Sequence, residues 1–116
     1  MQNIQCGKVV KMFIKVEISL TDEQVEQAEM LGEILTETIE GDYTIQGESD
    51  ASEVVVTGEV ILYKHETILD FVNGLGKFVW SSLGGQYAPL SITLNDLTYK
   101  SSMMQYRNNC SAMVQI

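Results

Sequence analysis

The side chains best equipped for chemistry are few: one histidine, His65, one arginine, Arg107, and two cysteines, Cys6 and Cys110, against sixteen carboxylates. A single imidazole with no Cys or His at ligand spacing is not a metal site. As a general base it would need a partner that the spacing does not supply, so His65 is expected to be structural or superficial. Gly-x-Ser-x-Gly, a phosphate-cradling glycine loop and a dinucleotide fingerprint are all absent from the sequence. Gly74-Leu75-Gly76-Lys77 falls inside a helical stripe and not after a strand, so it is not a phosphate loop. Carboxylates on one solvated helix titrate alike and lack the asymmetry that acid–base catalysis needs. Asp42, Glu48 and Asp50 match no calcium-loop spacing. The chain is expected not to be an enzyme and to carry no cofactor and no metal.

Binding is the chemistry that remains, and two groups of residues are candidates for it. Arg107 has a planar donor fork suited to a phosphate, unless it is a single surface charge. Phe78 or Trp80 offers a stacking face for a base, and Asn95 offers an amide for a base or a ribose hydroxyl. Trp80 lies off the main apolar stripe of its helix, which calls for a second buried side or a subunit contact. The other group is acidic. Between Lys15 and Lys64 stand thirteen Asp or Glu and no Lys or Arg, while the remainder holds three acids and seven bases. Such a surface repels nucleic-acid phosphates and anionic membranes, and it steers toward a basic protein. Glu26, Glu29, Glu33, Glu37 and Glu40 recur at helical spacing, continuing to Asp42 and Glu48. Several are three or four apart, a like-charge arrangement that costs a few tenths of a kcal/mol per pair. A row of this kind is either a solvated face that serves solubility or one that presents carboxylates where phosphates would lie, as anti-restriction, anti-CRISPR and toxin-neutralising proteins do.

The elements that must position these residues follow from composition and period. The 116 residues, 45% apolar and 20% charged, fit one domain over 1–116. No apolar run reaches the ~20 residues of a membrane span. The N-terminal residues lack a secretory pattern, so a cytoplasmic location is expected, with Cys6 and Cys110 as two free thiols unless they form a terminal staple or an intersubunit bridge. Residues 8–19 alternate, with Val10, Met12, Ile14, Val16 and Ile18 against Lys11, Phe13, Lys15, Glu17 and Ser19, which predicts a strand with one face in the core. Thr21 and Gln24 form a capping box ahead of the stripe Val25, Ala28, Leu31, Ile34/Leu35 and Ile39, with Gly41 as the stop. Residues 42–46 and 53–63 read as a strand pair, Gly58 marking a bulge or close contact. Thr67 and Asp70 cap a second helix carrying Ile68, Phe71, Val72, Leu75, Phe78, Val79 and Leu83, closed by Gly84-Gly85. Gly74 and Gly76 imply close packing or a ligand. Residues 90–94 alternate, Asn95-Asp96 makes a turn or bulge, and residues 102–108 are expected to be the last strand.

The fold class is therefore α+β, two helices packed on a mainly antiparallel sheet in the order β-α-β-β-α-β-β. A domain with two apolar helix faces is expected to form a homo-oligomer. The size, the two helices on a sheet, the aromatic end of the second helix, Asn95-Asp96 and the late Arg107 resemble the phage Thoeris anti-defence proteins. That resemblance implies an oligomer that sequesters a small nucleotide-like signal, a cyclic ADP-ribose, without cleaving it, with Phe78, Asn95 and Arg107 in the ligand site. The acidity of residues 17–59 would confine such a ligand to the C-terminal half. The alternative is an acidic inhibitor that binds a basic protein partner through Glu26, Glu29, Glu33 and Glu37.

Overall fold

Strict alternation makes the first strand the spine of the molecule. In a computed structural model, which describes residues 9–48, 51–63, 67–107 and 113–115, β1 spans Val9–Leu20. Met12, Ile14, Val16, Ile18 and Leu20 are buried, and Lys11, Phe13, Lys15 and Ser19 face out. One side of β1 pairs over its whole length with β3 (Ala51–Tyr63), the other with β4 (Leu90–Leu94), both antiparallel. Adding β2 (Glu40–Glu48), β5 (Leu97–Ser101) and β6 (Met113–Gln115) completes a six-stranded sheet in the order β2-β3-β1-β4-β5-β6.

Two helices cover one face of this sheet, and among the described residues no element covers the other. α1 (Ala28–Thr38) lies over β2 and β3, burying Ala28, Leu31 and Leu35. α2 (Ile68–Ser82) covers the β4–β6 side, burying Val72, Leu75, Gly76, Val79 and Trp80. The α+β class, two helices on an antiparallel sheet, is the one the sequence predicts. No helix among the described residues is long and apolar enough to cross a membrane.

Local chemistry explains the boundaries. The predicted capping box forms in part: the Gln24 side-chain oxygen accepts from the Thr21 N–H at 3.1 Å. A 3₁₀ turn at Val25–Gln27 then precedes α1, so the α-helix begins later than Thr21. Gln24 is pulled inward, 4% exposed, because its amide nitrogen also donates to the Tyr87 carbonyl and the Gln86 side chain. At the start of α2, the Thr67 hydroxyl accepts from the Asp70 N–H. α2 ends as the glycine pair predicts. Gly84 and Gly85 both have positive φ, and their N–H groups donate to the Ser81 and Trp80 carbonyls, satisfying the last turn.

Three glycines serve close approach. Gly41 pairs with Gly58 across β2 and β3, and a Cβ on either would overlap the facing backbone, the close contact expected at Gly58. Gly32 lets the Tyr43 ring of β2 lie flat on α1. Gly76 packs against Trp80 and Leu90, whereas Gly74 has no neighbour within 4 Å of a built Cβ.

The C-terminal region departs from expectation. Residues 102–108, predicted as a strand, instead hold the short helix α3 (Met103–Arg107). Ser101 already closes β5, its hydroxyl accepting from the Leu90 N–H and bonding the Tyr87 hydroxyl. One helical turn then carries Tyr106 edge-on to Trp80, ring centroids 4.9 Å apart, with its hydroxyl donating to the Gly85 carbonyl. Aromatic packing and the helix preference of Met, Gln and Arg point the same way here. The chain rejoins the sheet as β6, where the Met113 N–H donates to the Asn73 side chain.

Gly58→Ala is expected to lower stability by about 1–3 kcal/mol, the cost of forcing atoms into a filled space. Gly74→Ala, in an open helical site, is expected to raise it by about 0.5–1 kcal/mol. Urea unfolding midpoints at constant slope read both.

Candidate functional site

The acidic helix face forms as its spacing demands. Burial of Ala28, Leu31 and Leu35 turns Glu26, Glu29, Glu33 and Glu37 to solvent, and all four are exposed. Among the described residues none of them has a salt-bridge partner; the ion pairs are Lys11–Glu59 at 3.3 Å and Lys15–Glu17 at 4.0 Å, both on the open sheet face. Gly32 is turned toward Tyr43 of β2 and Thr38 toward α2. Because successive helix residues advance by about 100°, Glu29 leans toward β2, whereas Glu33 and Glu37 lie outermost. Glu40 and Asp42, both exposed, stand on β2 on the opposite, open face of the sheet. Repulsion within the row is tolerated because α1 is held from below by its apolar stripe and by the Gly32–Tyr43 contact.

The three residues assigned to a small ligand occupy different places. Phe78, 42% exposed, lines a groove of about 300 Å³ between the helices, with Thr38, Phe71 and Gly74. Asn95 sits in the β4–β5 turn at φ 52°, on a groove of about 610 Å³ over the open sheet face, with Phe13, Lys15, Asp42, Thr57 and Glu59. Arg107 is exposed at the end of α3 and lines neither groove. The side-chain oxygen of Asn95 already accepts from the Phe13 N–H at 3.0 Å, and its own N–H donates to the Phe13 carbonyl at 2.9 Å. Asn95 thus prolongs the β1–β4 ladder past the last paired residues.

Trp80 is not an available stacking face. It is 2% exposed, donates its indole N–H to the Ala88 carbonyl at 2.9 Å, and packs with Tyr87 and Tyr106. Of the two expectations for it, the second buried side is the one found. His65, Cys6 and Cys110 lie outside the described residues, as does Asp50. Among the described residues, no group of three His, Cys, Asp or Glu is placed to hold a metal ion.

Sequence reasoning did not single out Phe13, which is 69% exposed at the centre of the open face. The signal was present: an aromatic ring in the polar phase of an alternating strand.

Comparison with protein-family models, with curated proteins and with solved structures finds no match. The functional reading therefore rests on the geometry of this chain.

Asn95→Ala is expected to cost about 1–2 kcal/mol of stability, since it leaves the Phe13 N–H without its acceptor. Arg107→Ala, at an exposed helix end, is expected to stay within about 0.5 kcal/mol of the parent. Thermal and urea unfolding of the two variants check both.

Proposed function

We propose that this protein is a non-catalytic binding protein whose acidic α1 face engages a basic partner protein, as an inhibitor or neutralising partner would. The observation that carries this reading is the row formed by Glu26, in the 3₁₀ turn that leads into α1, and Glu29, Glu33 and Glu37 of α1. Its members are all exposed, and among the described residues they have no cation to pair with. A helix selected for stability alone would alternate acids with lysines, since like charges at this spacing destabilise it. Here the cost is retained on a face that α1 holds rigidly outward. Complementary charge of this kind speeds encounter and excludes wrong partners. The small-nucleotide reading draws less support, because Phe78, Asn95 and Arg107 do not share a groove and Asn95 spends its side-chain oxygen on β1.

Affinity capture from the native host's extract, followed by quantitative mass spectrometry, tests the reading. The tagged parent protein is expected to enrich a basic protein at low salt and to lose it as salt rises. The triple variant Glu29→Lys, Glu33→Lys, Glu37→Lys should reduce that enrichment by roughly tenfold or more, the scale of several lost interfacial charge contacts. Arg107→Ala should leave it unchanged. Enrichment that survives the triple variant but fails in Arg107→Ala would reverse the assignment, in favour of a ligand gripped at the C-terminal end.

A further inference from the structure

β2 is the last strand of the sheet on its side, so among the described residues one edge of its backbone has no ladder partner. Natural edges are usually short, bulged or covered; this one runs over nine residues, Glu40–Glu48. It is also held firmly. Tyr43 lies on Gly32 of α1, and Gly41 is pressed against Gly58 of β3. Along the middle of the strand, residues 42–46, side chains alternate in character. Asp42, Thr44 and Gln46 point to the open face; Tyr43 and Ile45 point to the helix side. Ile45 is 42% exposed there, an apolar side chain at the rim that the helix layer does not reach.

Charge flanks this edge on both sides. Glu40 and Asp42 stand on the open face beside Glu59 of β3, itself paired with Lys11 at 3.3 Å, and Glu29 of α1 leans toward it from the helix side. We infer that β2 is a docking edge to which a partner adds an extended, basic segment as a seventh strand. The segment's backbone continues the ladder, an apolar side chain covers Ile45, and Lys or Arg side chains meet the acids on either side. The inference rests on the basic-partner reading above and specifies how that partner is held. A second copy of this chain is the wrong occupant, since pairing β2 with itself brings together the acidic rows of two chains, each of net charge −9.

The probe is a synthetic twelve-residue peptide of alternating Lys and Val, compared with the same peptide methylated on every backbone nitrogen, which keeps its charge but has no N–H to donate. Both are titrated into the isotope-labelled full chain at about 20 mM salt, where surface charge is little screened. Binding by the unmethylated peptide is expected, with amide shifts centred on residues 40–48 and slowed hydrogen exchange at alternate residues of β2. The methylated peptide is expected to bind at least tenfold more weakly. Ile45→Lys should weaken the unmethylated peptide tenfold or more, whereas Ile61→Lys, the same change at an exposed position of β3, should alter it less than twofold.

Equal affinity for the two peptides, or shifts confined to α1, overturns strand addition and leaves the acidic-face reading standing. Failure of both peptides to bind at low salt overturns both. Concentration-dependent self-association through residues 40–48, seen by sedimentation, overturns the choice of occupant.

Discussion

Every other element takes its place from the two backbone ladders on β1. Twelve residues pair with β3 on one side and five with β4 on the other. The second ladder is tied beyond its ends, by the Ser19 N–H donating to the Pro89 carbonyl and by Phe13 joined to Asn95 at both its N–H and its carbonyl. With both edges satisfied, the only freedom left to β1 is which face is buried, and alternation decides it. Met12, Ile14, Val16, Ile18 and Leu20 select the side on which helices must lie, because a slip by one residue would expose all five. Both helices then share that side, and the opposite face remains open to solvent with Phe13 at its centre.

Placing α1 over β2 and β3 has a second effect, which concerns charge and not packing. The longest basic-free stretch of the chain is folded onto one flank, with α1 above and β2 at the rim. Carboxylates spread through the sequence are gathered on the two faces of that flank, while Lys100 and Arg107 lie on the far side of β1. The molecule is polarised across its sheet, and the acidic flank is also the one whose outer strand edge has no ladder partner among the described residues. Charge steers approach, and backbone pairing can then hold what arrives.

Wherever a single period controlled an element, it was legible in the sequence. The alternation of residues 8–19, the apolar stripes of both helices, the Thr67–Asp70 cap and the glycine stop at Gly84-Gly85 all rest on local rules, and all are found. The exposure of Glu26, Glu29, Glu33 and Glu37 follows from the same stripe that buries Leu31 and Leu35. Long-range contacts were beyond reach. Nothing local says that Gln24 will be drawn inward by the carbonyl of Tyr87, 63 residues away, which delays the helix start. Nor does the apolar pattern say that Tyr106 must turn back to Trp80 and Gly85, although Met103, Gln105 and Arg107 are residues that favour a helical turn. Asn95 was a turn residue on sight, but its link to Phe13 required knowing that β4 lies beside β1.

The position of β1 in the chain bears on how the protein is made. It is the first strand described, yet both its partners come much later, one after α1 and β2, the other after α2. A ribosome adding ~5–20 residues per second leaves this apolar strand with two bare edges for seconds before β3 emerges, and for longer before β4. Pairings so distant also slow folding compared with a helical domain of the same size. During that interval the polar phase of the strand, above all Lys11 and Lys15, stands between β1 and association with another nascent chain, because flanking charge is what keeps an exposed strand from templating aggregation. The lysines that pair with Glu59 and Glu17 on the finished sheet thus protect it while it is incomplete.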